Sequence, residues 1–530
     1  MTSFDLVFRS ATIVDGTRRP RFVSDVAVAG DRVVAVDRVG DAIAKRTIDA
    51  KGLVLAPGFV DVHNHSEGWL LKLVHLTSKT QQGYTTEVLF SDGISYAPVT
   101  RENAVEWIHY LRSLNGLELA DYRGWRSIAD YMGLLDGRVC QNVLAQVPYA
   151  NLRVIAKDWS AGGLDDTQMR HVQHQIREAF EAGAAALSTG LDYIAEWHAS
   201  TDELAEACSA MRPHGGLYVT HVRYKKGILP AVREAVEIAR RAGVPLHISH
   251  LKGEAASRRA EDGDRPDAVF EYLDRVSNEV DYSFDVYPYL PGSTMLHSLL
   301  PNEVWNAGPL AALARLGDAA MRPKIAAGLA ATRAAFEQIR LAWTPTEACK
   351  RHRGRAVVDI LADRQRPIED AFAEFLIDEN MAALGVMHLG DDRLIEPCVA
   401  HPKCMIGSDG IYQPNGVIHP RQYGTAPRVL GPFVRTREVL SLEEAVHKLS
   451  GFPATRFGLV DRGVIREGAF ADLVLFDPET VEDRATYENP HQPPVGISHV
   501  LVNGQFVVDG GQAVTSFADR MPGRALRFKC

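Results

Sequence analysis

At 530 residues the chain is too long for one ordinary small domain, and its formal net charge of −9 argues against a general nucleic-acid binder. A composition of 46% hydrophobic and 24% charged residues, without a low-complexity tract, is that of a soluble globular protein. Six cysteines with no Cys-x-x-Cys pair suggest no disulfide framework, which makes the cytoplasm the expected compartment.

The N-terminus lacks a basic start followed by an apolar core, so no secretory signal is read there, and no apolar run reaches the ~18 residues of a membrane span. The first ~55 residues read as strands. Val23 to Asp37 alternates around Gly30-Asp31, a hairpin turn, with Val26, Val28, Val34 and Val36 supplying β-branched residues.

The middle of the chain alternates strands with helical stretches, the pattern of a parallel α/β fold. Strands are expected at Phe59–His65, Tyr84–Asp92, Asn142–Ala150, Ala184–Tyr193, Gly216–Arg223, Pro245–Lys252, Val280–Tyr289 and Cys404–Asp409, with helices such as Asp166–Ala182 and Leu229–Ala242 between them. Eight strands over this length predict a (β/α)8 TIM barrel. The long gap after Tyr289 predicts an insertion between barrel strands 7 and 8, and its Ala-rich stretch Leu310–Gln338 reads as a helical cap over the barrel mouth. Within it, Arg351-His352-Arg353-Gly354-Arg355 is the densest basic patch and reads as a solvated loop. The last helix, Leu442–Arg456, opens with Ser441 and Glu444 at capping-box spacing.

Beyond it, Asp472–Asp477 is a short strand, and His499–Val508 is a hairpin around Asn503-Gly504, a pair favoured at type I′ turns. Strand-rich ends flanking a different middle predict a small β-sandwich assembled from both termini. The expected domains are residues 1–56 and 458–530 for the sandwich, and 57–457 for the barrel with its insertion at about 290–360.

His63 and His65 end the apolar, Gly-Pro-punctuated run Leu55–His65. Residues two apart on a strand share a face, so both imidazoles converge, the start of a divalent-metal site. His221, His250 and Asp409 close three further predicted strands, at the end of a barrel where chemistry is placed. Five such residues on four strands make a metal centre the leading reading.

The chain resembles the metal-dependent amidohydrolase superfamily, and within it the N-acyl-D-amino-acid deacylase (D-aminoacylase) family. The resembling phrases are Pro57–His65, Leu187–Tyr193, Thr220-His221-Val222-Arg223, Ile248-Ser249-His250-Leu251-Lys252, Asp285–Thr294, Ile406–Gly410, His419–Thr425 and Gly468–Val474. The resemblance implies that His63 and His65 share one metal position with Asp409, and that His221 and His250 hold a second, tighter one. That branch completes the tight position with a cysteine after the second strand. Alignment on Thr85–Gly93 puts Asp92 there instead, and the nearest cysteine, Cys140, lies beyond the next predicted helix. Nor does the fourth strand, Ala184–Ser188, offer a lysine to be carboxylated. Asp92 is therefore expected as a ligand; the alternative reading of Asp92-Gly93 is a plain turn. The implied cofactor is Zn2+, as one or two ions, and a carboxylate in place of a thiolate admits other divalent metals.

The implied reaction is metal-assisted hydrolysis of an amide, with Asp409 as general base and acid. The resemblance places Tyr193, Lys252, Tyr287, Arg421, Arg223, Ser293 and Thr294 around the substrate, with Lys252 or Arg421 holding a carboxylate and Tyr193 or Tyr287 the developing oxyanion. Trp69 and Trp197 are candidates for a more aromatic pocket or for packing. The expected partner is a small-molecule amide, not nucleic acid or a membrane; oligomeric state is not readable. N-acyl-D-amino acids are the leading substrates. Cyclic amides, N-carbamoyl or other non-peptide amides come second, and a non-catalytic ligand-binding role third.

Overall fold

The computed structural model describes residues 3–37, 39–40, 43–251, 266–330, 333–388, 395–517 and 520–528. The N-terminal strands are β1 (Ser3–Ile13), β2 (Phe22–Ala29), β3 (Arg32–Val36), β4 (Ile43–Asp49) and β5 (Val54–Pro57). β2 and β3 form the expected hairpin, with Gly30 at φ 58° in its turn.

β1 divides its length between neighbours. Residues Ser3 to Arg9 pair in parallel with β4, and Thr12 and Ile13 pair with β5. The register with β2 shifts between Phe8 and Ala11, where Ser10 has a φ of 55°. Such an irregularity bends a strand, and here it lets one strand serve two arms of a sheet.

Eight parallel strands follow in the order of a barrel: β6 (Phe59–Asp61), β7 (Tyr84–Leu89), β8 (Asn142–Pro148), β9 (Ala186–Gly190), β10 (Leu217–His221), β11 (Leu246–Ile248), β12 (Tyr282–Val286) and, after the insertion, a last strand at Cys404–Ile406. Each runs shorter than its sequence pattern, because its apolar run continues past the ladder into the loop that carries polar side chains. The ring closes at a single parallel bridge, Asn64 with Gly410. There the Asp409 N–H donates to the His63 carbonyl at 2.7 Å, and the His65 N–H to the Gly410 carbonyl at 3.0 Å.

Side chains reinforce this seam. Asp61 accepts from the Ser408 backbone N–H at 2.8 Å and from the buried Lys79 ammonium at 2.5 Å, and Lys79 also reaches the Ser408 hydroxyl. Two strands joined by one bridge are thus held by a buried charge pair.

The insertion carries the expected helical segments, Gly308–Leu316 and Arg322–Ala330. It also contains a three-stranded antiparallel sheet of β13 (Gly292–Met295), β14 (Ile339–Trp343) and β15 (Leu384–Met387). These strands are four or five residues long and pair across wide sequence gaps, so none displays a readable period. With them placed, the last barrel strand is β16. The helix expected at Leu442–Arg456 is two, Leu442–Leu449 and Gly451–Arg456, broken at Ser450, which has a φ of −137°. Its N-cap forms: the Ser441 hydroxyl accepts from the Glu444 N–H at 3.1 Å.

The chain returns to the first sheet through β17 (Leu473–Phe476), β18 (Ile497–Val502), β19 (Gln505–Asp509) and β20 (Gln512–Ala513). β17 pairs with β5, which joins both termini in one nine-stranded sheet. Its arms share a core in which Leu6, Phe8, Val26 and Val28 meet Leu55, Leu473, Leu475 and Leu501. The β18–β19 turn has Asn503 and Gly504 both at positive φ, the type I′ signature. Among the described residues, no helix is long and apolar enough to cross a membrane.

Candidate metal centre

The C-terminal ends of five barrel strands deliver six side chains to one point. His63 and His65 follow β6, Asp92 follows β7, His221 ends β10, His250 follows β11 and Asp409 follows β16. Three of the six have left-handed backbone: Asp92 (φ 58°), His250 (φ 34°) and Asp409 (φ 47°). Such conformations cost about 1–3 kcal/mol each and persist where surrounding structure over-determines them. Asp92 does lie in a tight turn, Ser91–Gly93, but the turn aims its carboxylate inward. Gly190 at the end of β9 permits this, since a Cβ there would collide with the Asp92 carbonyl.

The Asp92 carboxylate lies between two histidine pairs. Its Oδ1 is 3.5 Å from His63 Nε2 and 3.7 Å from His250 Nε2; its Oδ2 is 3.8 Å from His65 Nε2 and 3.9 Å from His221 Nδ1. Asp409 Oδ1 is 3.3 Å from His65 Nε2 and 3.8 Å from His63 Nε2. His221 Nδ1 and His250 Nε2 are 3.0 Å apart. Three overlapping groups of possible ligands result: His63, His250 and Asp409; His63, His65 and Asp92; and Asp92, His221 and His250.

His63 Nε2 and Asp92 Oδ1 are buried without a hydrogen-bond partner. Buried polar atoms are rarely left so, and an imidazole nitrogen facing a carboxylate oxygen across 3.5 Å suits a cation between them. The nitrogen and oxygen donor set fits a divalent metal. The electrostatics agree. Burial alone would raise the Asp92 carboxyl, yet His63 and His250 outweigh it and hold it well below the usual carboxylate range. Burial likewise opposes ionisation of Asp409, and Arg421 first among its neighbours reverses this. No thiolate competes: Cys140 is buried with its thiol pushed up to about 12, and no cysteine among the described residues joins the cluster.

A cavity of about 460 Å³ opens from this cluster. Of the residues expected around substrate, Tyr193, Tyr287, Ser293 and Thr294 line it. The Tyr193 hydroxyl is 3.5 Å from Asp92 Oδ2, and burial pushes its phenol well above the ordinary value, so it stays a donor. Arg421 lies fully buried behind the wall, 2.9 Å from Asp409 Oδ2 and stacked 4.3 Å over the Tyr287 ring, and its Nε has no hydrogen-bond partner. Ser293 turns its hydroxyl to the Gly385 carbonyl at 2.9 Å, inside the insertion sheet. Lys252 lies outside the described residues.

Arg223 is a correction. Its guanidinium is buried under the loop after β9, where it donates to the carbonyls of Leu191, Trp197 and Ala199 and pairs with Glu234 at 3.1 Å. Those donors are spent on fixing backbone and none faces the cavity. Neither Trp69 nor Trp197 lines the cavity; Trp69 packs edge-on against Tyr412. The cavity wall instead uses residues that carry no sequence signal: Leu114 at a helix end, Leu299 and Met387 from the insertion, and Asp192 and Lys225 from barrel loops. Only contacts between remote segments bring these together.

Residues 46–508 match the sequence profile described as the Amidohydrolase family. The chain is 33% identical to a D-aminoacylase of Alcaligenes xylosoxydans xylosoxydans, over 94% of each chain. It is 34% identical to an N-acyl-D-glutamate deacylase of the same organism, over 99% of this chain and 96% of the relative. Among solved structures, the N-acyl-D-glutamate deacylase of Bordetella bronchiseptica, complexed with zinc and a phosphonate mimic of the tetrahedral intermediate, superposes with a TM-score of 0.83. It is 31% identical, covering 99% of this chain and all (100%) of that one.

Proposed function

The chain belongs to the amidohydrolase family, and on that premise we propose that it hydrolyses the amide bond of N-acyl-D-amino acids at a divalent-metal centre. The ligands in this reading are His63, His65, Asp92, His221, His250 and Asp409, and zinc is the first candidate ion. The observation that carries the proposal is the convergence of these six side chains on one buried point at the strand ends, with an imidazole nitrogen and a carboxylate oxygen left unpaired there.

A divalent ion bound there supplies a nucleophilic water near neutral pH and polarises the substrate carbonyl. The remaining work falls to side chains. Asp409 is ionised throughout the neutral range, so it takes the proton of the attacking water and returns it to the amide nitrogen, a poor leaving group until protonated. Tyr193 donates to the oxygen on which negative charge develops. Arg421, behind the wall, holds Asp409 in place and stacks on Tyr287, and Lys252 is the proposed partner of the substrate carboxylate.

Leu114, Leu299 and Met387 favour an apolar substituent on the substrate over the acidic one named for the glutamate deacylases. Lys225, at the exposed rim, is the one cation lining the cavity among the described residues. A small-molecule amide is the partner, and a cytoplasmic location belongs to the same proposal, supported by the buried thiols of Cys140, Cys208, Cys349 and Cys404.

Metal analysis of the purified protein beside assays of N-acetyl-D- and N-acetyl-L-leucine, N-acetyl-D-glutamate and a hydantoin tests the proposal. The expected result is bound divalent metal, release of D-leucine above all, and loss of turnover on chelation. Ring opening of the hydantoin with no release from any N-acyl-D-amino acid would overturn it in favour of cyclic amides.

A further inference from the structure

Behind the metal cluster, a chain of polar groups crosses the barrel interior and ends on two of the candidate ligands. His247, Ser283 and Asp285 are fully buried on β11 and β12. Ser283 and Asp285, two apart on one strand, point to the same side. Asp285 Oδ2 is 2.9 Å from His247 Nε2 and 3.6 Å from His63 Nδ1, and its Oδ1 accepts from the His250 backbone N–H at 3.1 Å. At the other end, His247 Nδ1 is 2.9 Å from the Ser283 hydroxyl, which is 2.8 Å from Arg456 Nε.

With His247 neutral, donor and acceptor chemistry fixes the direction of every link. A carboxylate only accepts, so His247 donates to Asp285 through Nε2. Its Nδ1 then accepts, and the Ser283 hydroxyl donates to it. Arginine only donates, so Arg456 donates to the Ser283 oxygen. The chain therefore runs one way, from Arg456 through Ser283 and His247 to Asp285, which is left to accept from the His250 backbone and to face the His63 ring.

This direction matters to His63. Its Nε2 faces Asp92 and Asp409, 3.5 and 3.8 Å away, so it is Nε2 that faces the metal position. A neutral imidazole offers a lone pair at Nε2 only when the proton sits on Nδ1, the atom turned toward Asp285. Asp285 also pins the backbone of His250, whose φ of 34° needs external support. The packing admits little slack: a Cβ on Gly407 would come within 2.8 Å of both Asp285 Oδ1 and His63 Cβ.

We propose that Asp285 and His247 are positioning residues for the metal centre. Asp285 fixes the metal-binding tautomer of His63 and the backbone of His250, and His247 fixes Asp285 by donating from Nε2. The inference rests on the metal centre proposed above.

The test measures zinc affinity by chelator competition, and the absorption spectrum of the cobalt-loaded protein, for the wild type, Asp285→Asn, His247→Leu and His247→Gln. Outer partners of metal ligands are typically worth about 10–100-fold in affinity. Asp285→Asn is expected to lose that much and to change the cobalt spectrum. His247→Leu loses affinity in the same direction, and His247→Gln, which still donates to Asp285, keeps it. Wild-type affinity and spectrum in both Asp285→Asn and His247→Leu would overturn the inference, as would equal losses in the leucine and glutamine variants. If Asp285→Asn does not fold, the leucine–glutamine pair decides alone. Failure of the wild type itself to bind zinc or cobalt is a different result, which removes the metal centre and not merely its support.

Discussion

The barrel rim and the insertion that overhangs it meet in one cavity, yet they contribute in opposite ways. The rim supplies charged and imidazole groups on short, fully buried strands, where three left-handed residues and a set of buried ion pairs hold the geometry. The insertion supplies Met387 and a Thr294 hydroxyl that lacks a hydrogen-bond partner from a three-stranded sheet of its own, and Leu299 from the short turn after β13. A difference of this kind separates chemistry from selection: changes at the rim act on turnover, and changes in the insertion act on which substrate is turned over.

The largest expected effect tests the rim. Asp409→Asn removes the proton carrier and lowers kcat by about 10²–10⁴-fold across every substrate, read from steady-state kinetics with metal content measured in parallel. A loss confined to one substrate would break the division. Next comes Arg223→Met, a rim residue without a part in the chemistry. Removing one partner of a buried, hydrogen-bonded charge pair costs about 3–5 kcal/mol, so denaturant unfolding shifts markedly while kcat per folded molecule is retained.

The insertion is tested by Leu299→Ala. A lost apolar contact is worth about 1–3 kcal/mol, so kcat/KM falls by roughly 10–200-fold for N-acetyl-D-leucine and much less for N-acetyl-D-alanine. A uniform fall would show that the insertion serves turnover after all.

The last effect appears as a pH slope and concerns Glu196, fully buried behind the Asp92 turn, whose carboxylate accepts from the Gly190 N–H. Burial pushes its carboxyl up to about 8, against 4.5 unperturbed. A folded-state value above the unfolded one means stability that is full below about pH 4.5 and is lost as pH rises through about 8. Glu196→Gln should therefore match the wild type in unfolding free energy near pH 4 and become the more stable protein at higher pH. The gap widens by at most about 1.4 kcal/mol per pH unit and levels off above pH 8.

The same contrast governs what was legible. Strand ends carrying His63, His65, His221, His250 and Asp409 stood out because a rigid parallel strand places its last side chain predictably. The eight strands, the hairpins at Gly30 and Asn503, and the cap at Ser441 were readable for the same local reason. Arg223 misled because its neighbour His221 faces the cluster; the next turn of backbone carries its guanidinium beneath the loop instead. His247 passed unread, since one buried histidine on an apolar strand has no signal until Asp285 and Ser283 are seen beside it.

By itself, then, the sequence determined the barrel, the terminal sheet and the residue types of a metal centre, all properties of short segments with a fixed period. Tertiary structure alone decided that Asp92 sits between both histidine pairs, that Leu114, Leu299 and Met387 enter the cavity wall, and that a polar chain supports the cluster from behind. Those features depend on distances between atoms remote in the chain, and such distances are set by packing rather than by any local pattern.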